Sequence, residues 1–271
     1  MKNKLMGSLL MMILSHSVYG ATQPTTFYQQ ACDKGDMNGC SELGRRYKEG
    51  SEVTQDNTKA IALFTQGCEG GSAQGCSDLG WMFAHGQGVA PDKAKAMELF
   101  TQGCDGGDGQ GCNELGLLYG RGQGVTADKA KAATLYGQAC DNGNTHGCIN
   151  LGTLYMFGQG VSVDYTKALQ LFTQGCEGGN PLGCTNVGVI HERGRGVPSD
   201  TTMALEFYTQ GCEGGDALGC SNLSRLEKKG VKTATTKSDS TAEKAEKLYQ
   251  KADAVWTFLN TLHSTLLPKQ K

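Results

Sequence analysis

The chain has 271 residues, 25 Lys and Arg against 27 Asp and Glu, a formal net charge of −2, and 12 cysteines. That balance, with no cluster of Lys or Arg before the tail, argues against nucleic acid or an anionic membrane surface as a partner. Length alone admits one or two globular domains, but a recurring pattern overrides that expectation.

Residues 1–20, MKNKLMGSLLMMILSHSVYG, combine two lysines, an apolar run from Leu5 to Leu14, and the small residues Val18 and Gly20 ahead of Ala21. This is the pattern of a cleaved secretory signal peptide. The run is too short for a membrane span, no comparable run follows, and no cysteine sits at the cut to take a lipid. The expectation is an exported protein, periplasmic or secreted, that begins near Ala21. Without Lys2 and Lys4 it carries 23 basic and 27 acidic side chains, a net charge near −4.

Residues 21–40 read as an N-terminal half repeat ending in ACDKGDMNGC. The same C-x7-C element recurs through the chain, pairing Cys32 with Cys40, Cys68 with Cys76, Cys104 with Cys112, Cys140 with Cys148, Cys176 with Cys184 and Cys212 with Cys220. Each element lies 36 residues after the one before. Residues 41–220 thus divide into five full blocks beginning at Ser41, Ser77, Asn113, Ile149 and Thr185. Such a period marks a solenoid.

In the block from Ser77, Cys76, Leu79, Gly80 and Phe83 form one stripe of a first helix. Gly86-Gln87-Gly88-Val89 breaks it, and Asp92, matched by Asp56, Asp128, Asp164 and Asp200, caps a second helix. That helix buries Ala96, Leu99, Phe100 and Cys104, with Ala60, Ala132, Ala168 and Ala204 at the position of Ala96. Gly80 and its equivalents Gly44, Gly116, Gly152 and Gly188 lie inside helices, where glycine costs about 1 kcal/mol against alanine. Their recurrence predicts close helix contact with a small residue on each side. The spacing predicts an all-α fold, an α/α solenoid of helix pairs.

The C-x7-C elements flank the turn from one block's second helix into the next block's first helix. In an exported chain an even cysteine count points to disulfides, which here would staple αα-hairpins. Closing a loop of about nine residues is worth roughly 2.5 kcal/mol in the chain-entropy model, about 10–15 kcal/mol over six staples. The alternative pairing, Cys40 with Cys68 and so on, is also conceivable and would leave Cys32 and Cys220 unpaired. Residues 221–271 read as a degenerate partial repeat and a C-terminal capping helix that closes the last apolar face with Trp256, Phe258, Leu259 and Leu262.

The run LGTLYMFGQGVSVDYTKALQLFTQGCEGGNPLGC from Leu151 resembles the Sel-one-like repeat, a relative of the tetratricopeptide repeat, through its LGxxY, GxGV, DxxKA and aromatic-plus-small positions. The C-x7-C pair in every repeat is similar to the cysteine-rich branch first named from Helicobacter, whose members are commonly catalogued as β-lactamases or penicillin-binding proteins. The resemblance covers about residues 25–230. Departures are GSEV at Gly50 in place of GxGV, His191 in place of the aromatic, and Ser224 in place of glycine. By implication the protein would act on β-lactams or bind cell-wall peptide.

The residues offer that chemistry no recognised motif. No S-x-x-K or S-D-N occurs, and Lys232-Thr233-Ala234 is the nearest approach to K-T-G. His85, His146, His191 and His263 stand singly, without metal-ligand spacing, and the stapled cysteines are no thiolates. The GxG segments follow helices, not strands, and read as turns. No cofactor or metal is expected.

Binding is better supported, because paired-helix solenoids present a concave face built by their first helices. Position two of each block reads Glu42, Asp78, Glu114, Asn150, Asn186 and Asn222, side chains suited to holding the backbone of an extended peptide. Arg45, Trp81, Leu117, Thr153 and Val189, then Glu49, His85, Arg121, Phe157 and Arg193, vary beside them, with Trp81 and Phe157 as candidate aromatic anchors. The expected function is a monomeric scaffold for a peptide or protein partner. β-Lactam binding or hydrolysis is the alternative, with no catalytic residue assigned.

Overall fold

The computed structural model describes residues 23–232; the expected leader and the expected cap around Trp256 lie outside the described residues. Among the described residues there are twelve helices and no strand. They are α1 (Thr25–Asp33), α2 (Met37–Glu49), α3 (Asn57–Glu69), α4 (Ala73–His85), α5 (Lys93–Asp105), α6 (Gly109–Arg121), α7 (Lys129–Asp141), α8 (Thr145–Phe157), α9 (Tyr165–Glu177), α10 (Pro181–Arg193), α11 (Thr201–Glu213) and α12 (Ala217–Lys228). Even-numbered helices are the first helices of the repeats. The chain divides into two compact units, one ending at Gly147 and the other beginning at Cys148.

Each second helix starts where the sequence places it. Asp56, Asp92, Asp128, Asp164 and Asp200 accept hydrogen bonds from backbone N–H groups in the first turn, which satisfies donors the helix itself leaves open. The first helices are capped the same way by Asp36, Ser72, Asp108, Asn180 and Asp216, the residues that close each glycine-rich turn. The first helices α2, α4, α6 and α10 stop at glycines in the left-handed region, such as Gly86 at φ 65°.

The departure at GSEV has a local reason. Glu52 occupies the left-handed position that Gly88 holds one repeat later, at φ 62°. Its carboxylate accepts from the Thr25 N–H at 2.8 Å and the Thr25 hydroxyl at 2.9 Å, which holds it below the usual carboxylate range. Pro24, at the start of α1, offers no side-chain cap. Glu52 therefore supplies from another helix pair the acceptor that α1 lacks.

The core of the amino-terminal unit alternates small and large residues. Ala60, Ala96 and Ala132 are fully buried, with Phe64, Phe100 and Tyr136 four residues on. The helix-interior glycines face both the expected small residue and one of those rings: a Cβ on Gly44 would lie 3.3 Å from the Ala60 carbonyl oxygen and 2.7 Å from Phe64, and one on Gly80 3.2 Å from the Ala96 carbonyl oxygen and 2.9 Å from Phe100. In the carboxyl-terminal unit Gly152 and Gly188 face Phe172 and Tyr208 in the same way. Met82 is fully buried, whereas Phe83 at the edge of the expected stripe is half-buried.

The staples follow the C-x7-C pairing. Cys32–Cys40, Cys68–Cys76, Cys104–Cys112, Cys176–Cys184 and Cys212–Cys220 are joined with Cα separations of 4.4–4.6 Å, inside the range a disulfide bridges without backbone movement. Cys140 and Cys148 are also disulfide-bonded, and the Cys40–Cys68 alternative is excluded. The fold is an all-α, α/α solenoid stapled at each repeat.

Candidate functional site

On each first helix, residues spaced by four, three and four line one stripe. On α4 these are Gln74, Asp78, Trp81 and His85. The sequence reading named the last three and missed Gln74, which belongs to the first turn.

In the amino-terminal unit the stripe is charged and internally paired. Asp78 is buried, and its carboxylate accepts from Arg45 Nε of α2 at 2.7 Å. Gln74, with its carboxamide oxygen turned inward, accepts from the same guanidinium at 2.9 Å. Glu42, half-buried, lies 3.9 Å from Arg45 and 3.7 Å from Arg46. Burial pushes the Asp78 carboxyl above its ordinary range while Arg45 pulls it back. Asp78 therefore serves the stacking of two first helices and is not presented on the surface.

Trp81 is likewise not the open anchor expected of it. Its half-buried ring stacks on His85 at 4.2 Å, and the Lys48 ammonium lies 4.4 Å from its centroid. Lys48 is position eight of its block and Trp81 is position five of the next, a contact of 33 residues that no single-helix pattern reveals. One repeat on, the same two positions hold Ala84 and Leu117, and a cavity of about 100 Å³ opens beside them. Glu114 lines it together with His85, Arg121 and Lys93. Burial raises the Glu114 carboxyl above its ordinary range, opposed by His85, a hydrogen bond from Asn113 and Arg121.

In the carboxyl-terminal unit the stripe changes character. Asn150, Asn186 and Asn222 are half-buried on α8, α10 and α12. Apolar side chains stand beside them: Phe157 is 56%, Leu182 39% and Leu218 50% exposed. Leu182 and Leu218 sit at the first-turn position of Gln74, so the reading that missed Gln74 missed them as well. Val189 is half-buried. Position eight is Glu192, which takes a bidentate pair from Arg225 at 2.7 and 2.6 Å and the Tyr208 hydroxyl at 2.8 Å. The Arg225 hydrogen bonds hold its carboxyl below the ordinary range. His191, the departure from the aromatic, stacks on Phe207 and keeps the packing role of a ring.

Among the described residues no group of His, Cys, Asp or Glu is arranged to hold a metal ion, and no helix is long and apolar enough to cross a membrane.

The Sel1 repeat model matches residues 26–36, 38–72, 73–108, 109–144, 145–180, 181–216 and 220–252. The chain belongs to the Sel1 repeat family. Among solved structures, a protective antigen of uropathogenic Escherichia coli strains with an SLR fold is 32% identical over 76% of this chain, with a TM-score of 0.65. The chain spans 44% of that antigen's length. A Sel1 repeat protein from Oxalobacter formigenes is 22% identical over 83% of this chain and 100% of its own, with a TM-score of 0.68, a likeness of fold. Helicobacter pylori cysteine rich protein B is 30% identical over 50% of this chain and 97% of its own, with a TM-score of 0.41. No curated protein matches. The protein is a disulfide-rich Sel1 repeat scaffold, and Sel1 repeats generally mediate protein–protein interaction.

Proposed function

We propose that the first-helix faces hold an extended peptide or a segment of a protein partner. The observation that carries this is the recurrence of one carboxamide position, Asn150, Asn186 and Asn222, in three first helices of one unit, beside exposed Phe157, Leu182 and Leu218. A carboxamide offers both an acceptor and donors to a peptide unit. Exposed apolar side chains next to it are ready to bury a ligand's own. Contacting helix axes lie about 8–10 Å apart, and a polyproline-type peptide presents the same face about every 9 Å. One carboxamide per ligand turn is thus the natural register.

In the amino-terminal unit Glu42, Glu114 and Trp81 supply the acidic and aromatic part of the surface, and Asp78 acts through Arg45. The disulfides fit an oxidising compartment, and we assign the protein to the periplasm or the cell exterior. The β-lactam reading gains nothing from the thiols, since every cysteine is disulfide-bonded.

The test is selection from a random-peptide library on the oxidised protein, followed by fluorescence anisotropy with a selected synthetic peptide. Changing Asn150 and Asn186 together to Ala should weaken binding about tenfold or more in a protein whose helix content is retained. Unchanged affinity in that variant would remove the carboxamide ladder from the account.

A further inference from the structure

The face of the amino-terminal unit contains one site that peptide-backbone capture does not explain. Position eight of a repeat meets position five of the next, and Lys48 over Trp81 fills that junction. At the following junction Ala84 and Leu117 are too small to do so, and both line the resulting cavity of about 100 Å³. At about 15 Å³ of such volume per water-sized group, it has room for about seven.

The walls fall into two sets. Ala84, Ala96, Leu117 and Leu118 give an apolar floor, while Glu114, His85, Arg121 and Lys93 bring charge. Among the described residues the ion pairs join other side chains, and none engages Glu114, Arg121 or Lys93. Opposite charges therefore line one small cavity and act on each other across it without closing into a direct ion pair. Glu114 is half-buried and accepts a hydrogen bond from the neutral Asn113 side chain. A carboxylate so placed favours a cationic partner that replaces lost hydration. Arg121 and Lys93 favour an anion.

We propose that this cavity binds the zwitterionic head group of a small aliphatic α-amino acid. Its ammonium donates to Glu114, its carboxylate accepts from Arg121 and Lys93, and its side chain rests on Ala84, Leu117 and Leu118. His85, stacked on Trp81 with centroids 4.2 Å apart, closes one side. A residue inside a peptide has neither charge, so this site is chemically distinct from the carboxamide stripe and does not rest on it. The head group can come from a free amino acid or from the end of a longer side chain that terminates in an amino-acid centre.

Calorimetric titration of the oxidised protein with alanine, N-acetylalanine, alanine amide and Nε-acetyl-lysine tests the proposal. Alanine should bind saturably, and removal of either charge should weaken binding about tenfold or more. Nε-acetyl-lysine keeps both charges on an extended side chain: tighter binding than alanine assigns the longer source, weaker binding the free amino acid. Leu117→Trp restores the bulky residue of the preceding junction and should abolish binding with helix content unchanged. Glu114→Gln, which keeps the shape, should lose at least tenfold. Absence of saturable alanine binding, equal binding of N-acetylalanine, or full binding by the folded Leu117→Trp protein would each overturn it.

Discussion

Two glycines four residues apart on α6 should respond to alanine with opposite signs. A Cβ on Gly116 would stand 2.7 and 2.8 Å from the ring atoms of Tyr136, and that residue is 5% exposed with no room to retreat. Overpacking of this kind costs about 1–3 kcal/mol, offset by about 1 kcal/mol of helix propensity. Gly116→Ala should therefore lose up to about 2 kcal/mol, the difference of those two effects. A Cβ on Gly120 would meet the same tyrosine only at its hydroxyl, 3.4 Å away, and Ala132 at 3.6 Å, both ordinary contacts. There the propensity term acts alone, and Gly120→Ala should gain about 0.5–1 kcal/mol. For a domain of this size each kcal/mol moves the melting temperature by about 2–4 °C. Because repeat arrays open by parts, hydrogen exchange across α6 and α7 should accompany the thermal scans. A Gly116→Ala protein more stable than the parent, or a less stable Gly120→Ala protein, would refute the ring-against-glycine account of the repeat.

Arg45→Met leaves the buried Asp78 carboxylate without its partner, and should cost about 2–3 kcal/mol at neutral pH, below the usual cost of breaking a buried pair because Arg45 itself is 30% exposed. Burial already raises the Asp78 carboxyl, so the folded protein takes up that proton before the unfolded chain does. The deficit should shrink as pH falls toward about 4, measured as the difference in urea midpoints between variant and parent. A pH-independent deficit would mean that lost packing, not lost charge, is responsible. Graded reduction with alkylation and peptide mapping should open Cys212–Cys220 before Cys104–Cys112, because Cys212 and Cys220 are half-buried whereas Cys104 and Cys112 are 8% and 0% exposed. The reverse order would show that access does not govern the staples.

The sequence was legible where one residue type does one local job. The Asp caps, the fully buried alanines and the C-x7-C staples could each be read because the constraint lies within a few residues and recurs in every block. The partner of the interior glycine was legible in part: the small residue beside it was expected, the ring was not. Glycine signals that something approaches closely, but not whether the approaching group is a backbone or the edge of a ring 20 residues on. The same limit hid the contacts of Lys48 with Trp81 and of Glu192 with Arg225. These join residues 33 apart, and depend on which side chains meet when one first helix lies against the next. Asp78 was placed on the correct stripe and yet is buried, because Arg45 of the neighbouring helix folds over it. Position along a helix was readable, whereas exposure depended on the size and charge of the residue across the junction.

That dependence ties the staples to the proposed binding face. The first-turn members of the stripe, Gln74, Gln110, Leu182 and Leu218, each lie two residues before a disulfide cysteine, inside the loop it closes. The disulfide fixes the start of each first helix against the end of the preceding second helix, so it orders the presented side chains as well as the core. Solenoid repeats that pack only on their neighbours can lose geometry at one junction without unfolding elsewhere. A face that must meet a repeating ligand cannot tolerate such slack, because the rotational and side-chain freedom lost on binding is subtracted from its affinity. Covalent fixation at every repeat would remove part of that loss for the proposed ligand. The variable residues are then free to differ: position two is acidic in the amino-terminal unit and a carboxamide beside exposed apolar side chains in the other, with the frame unchanged.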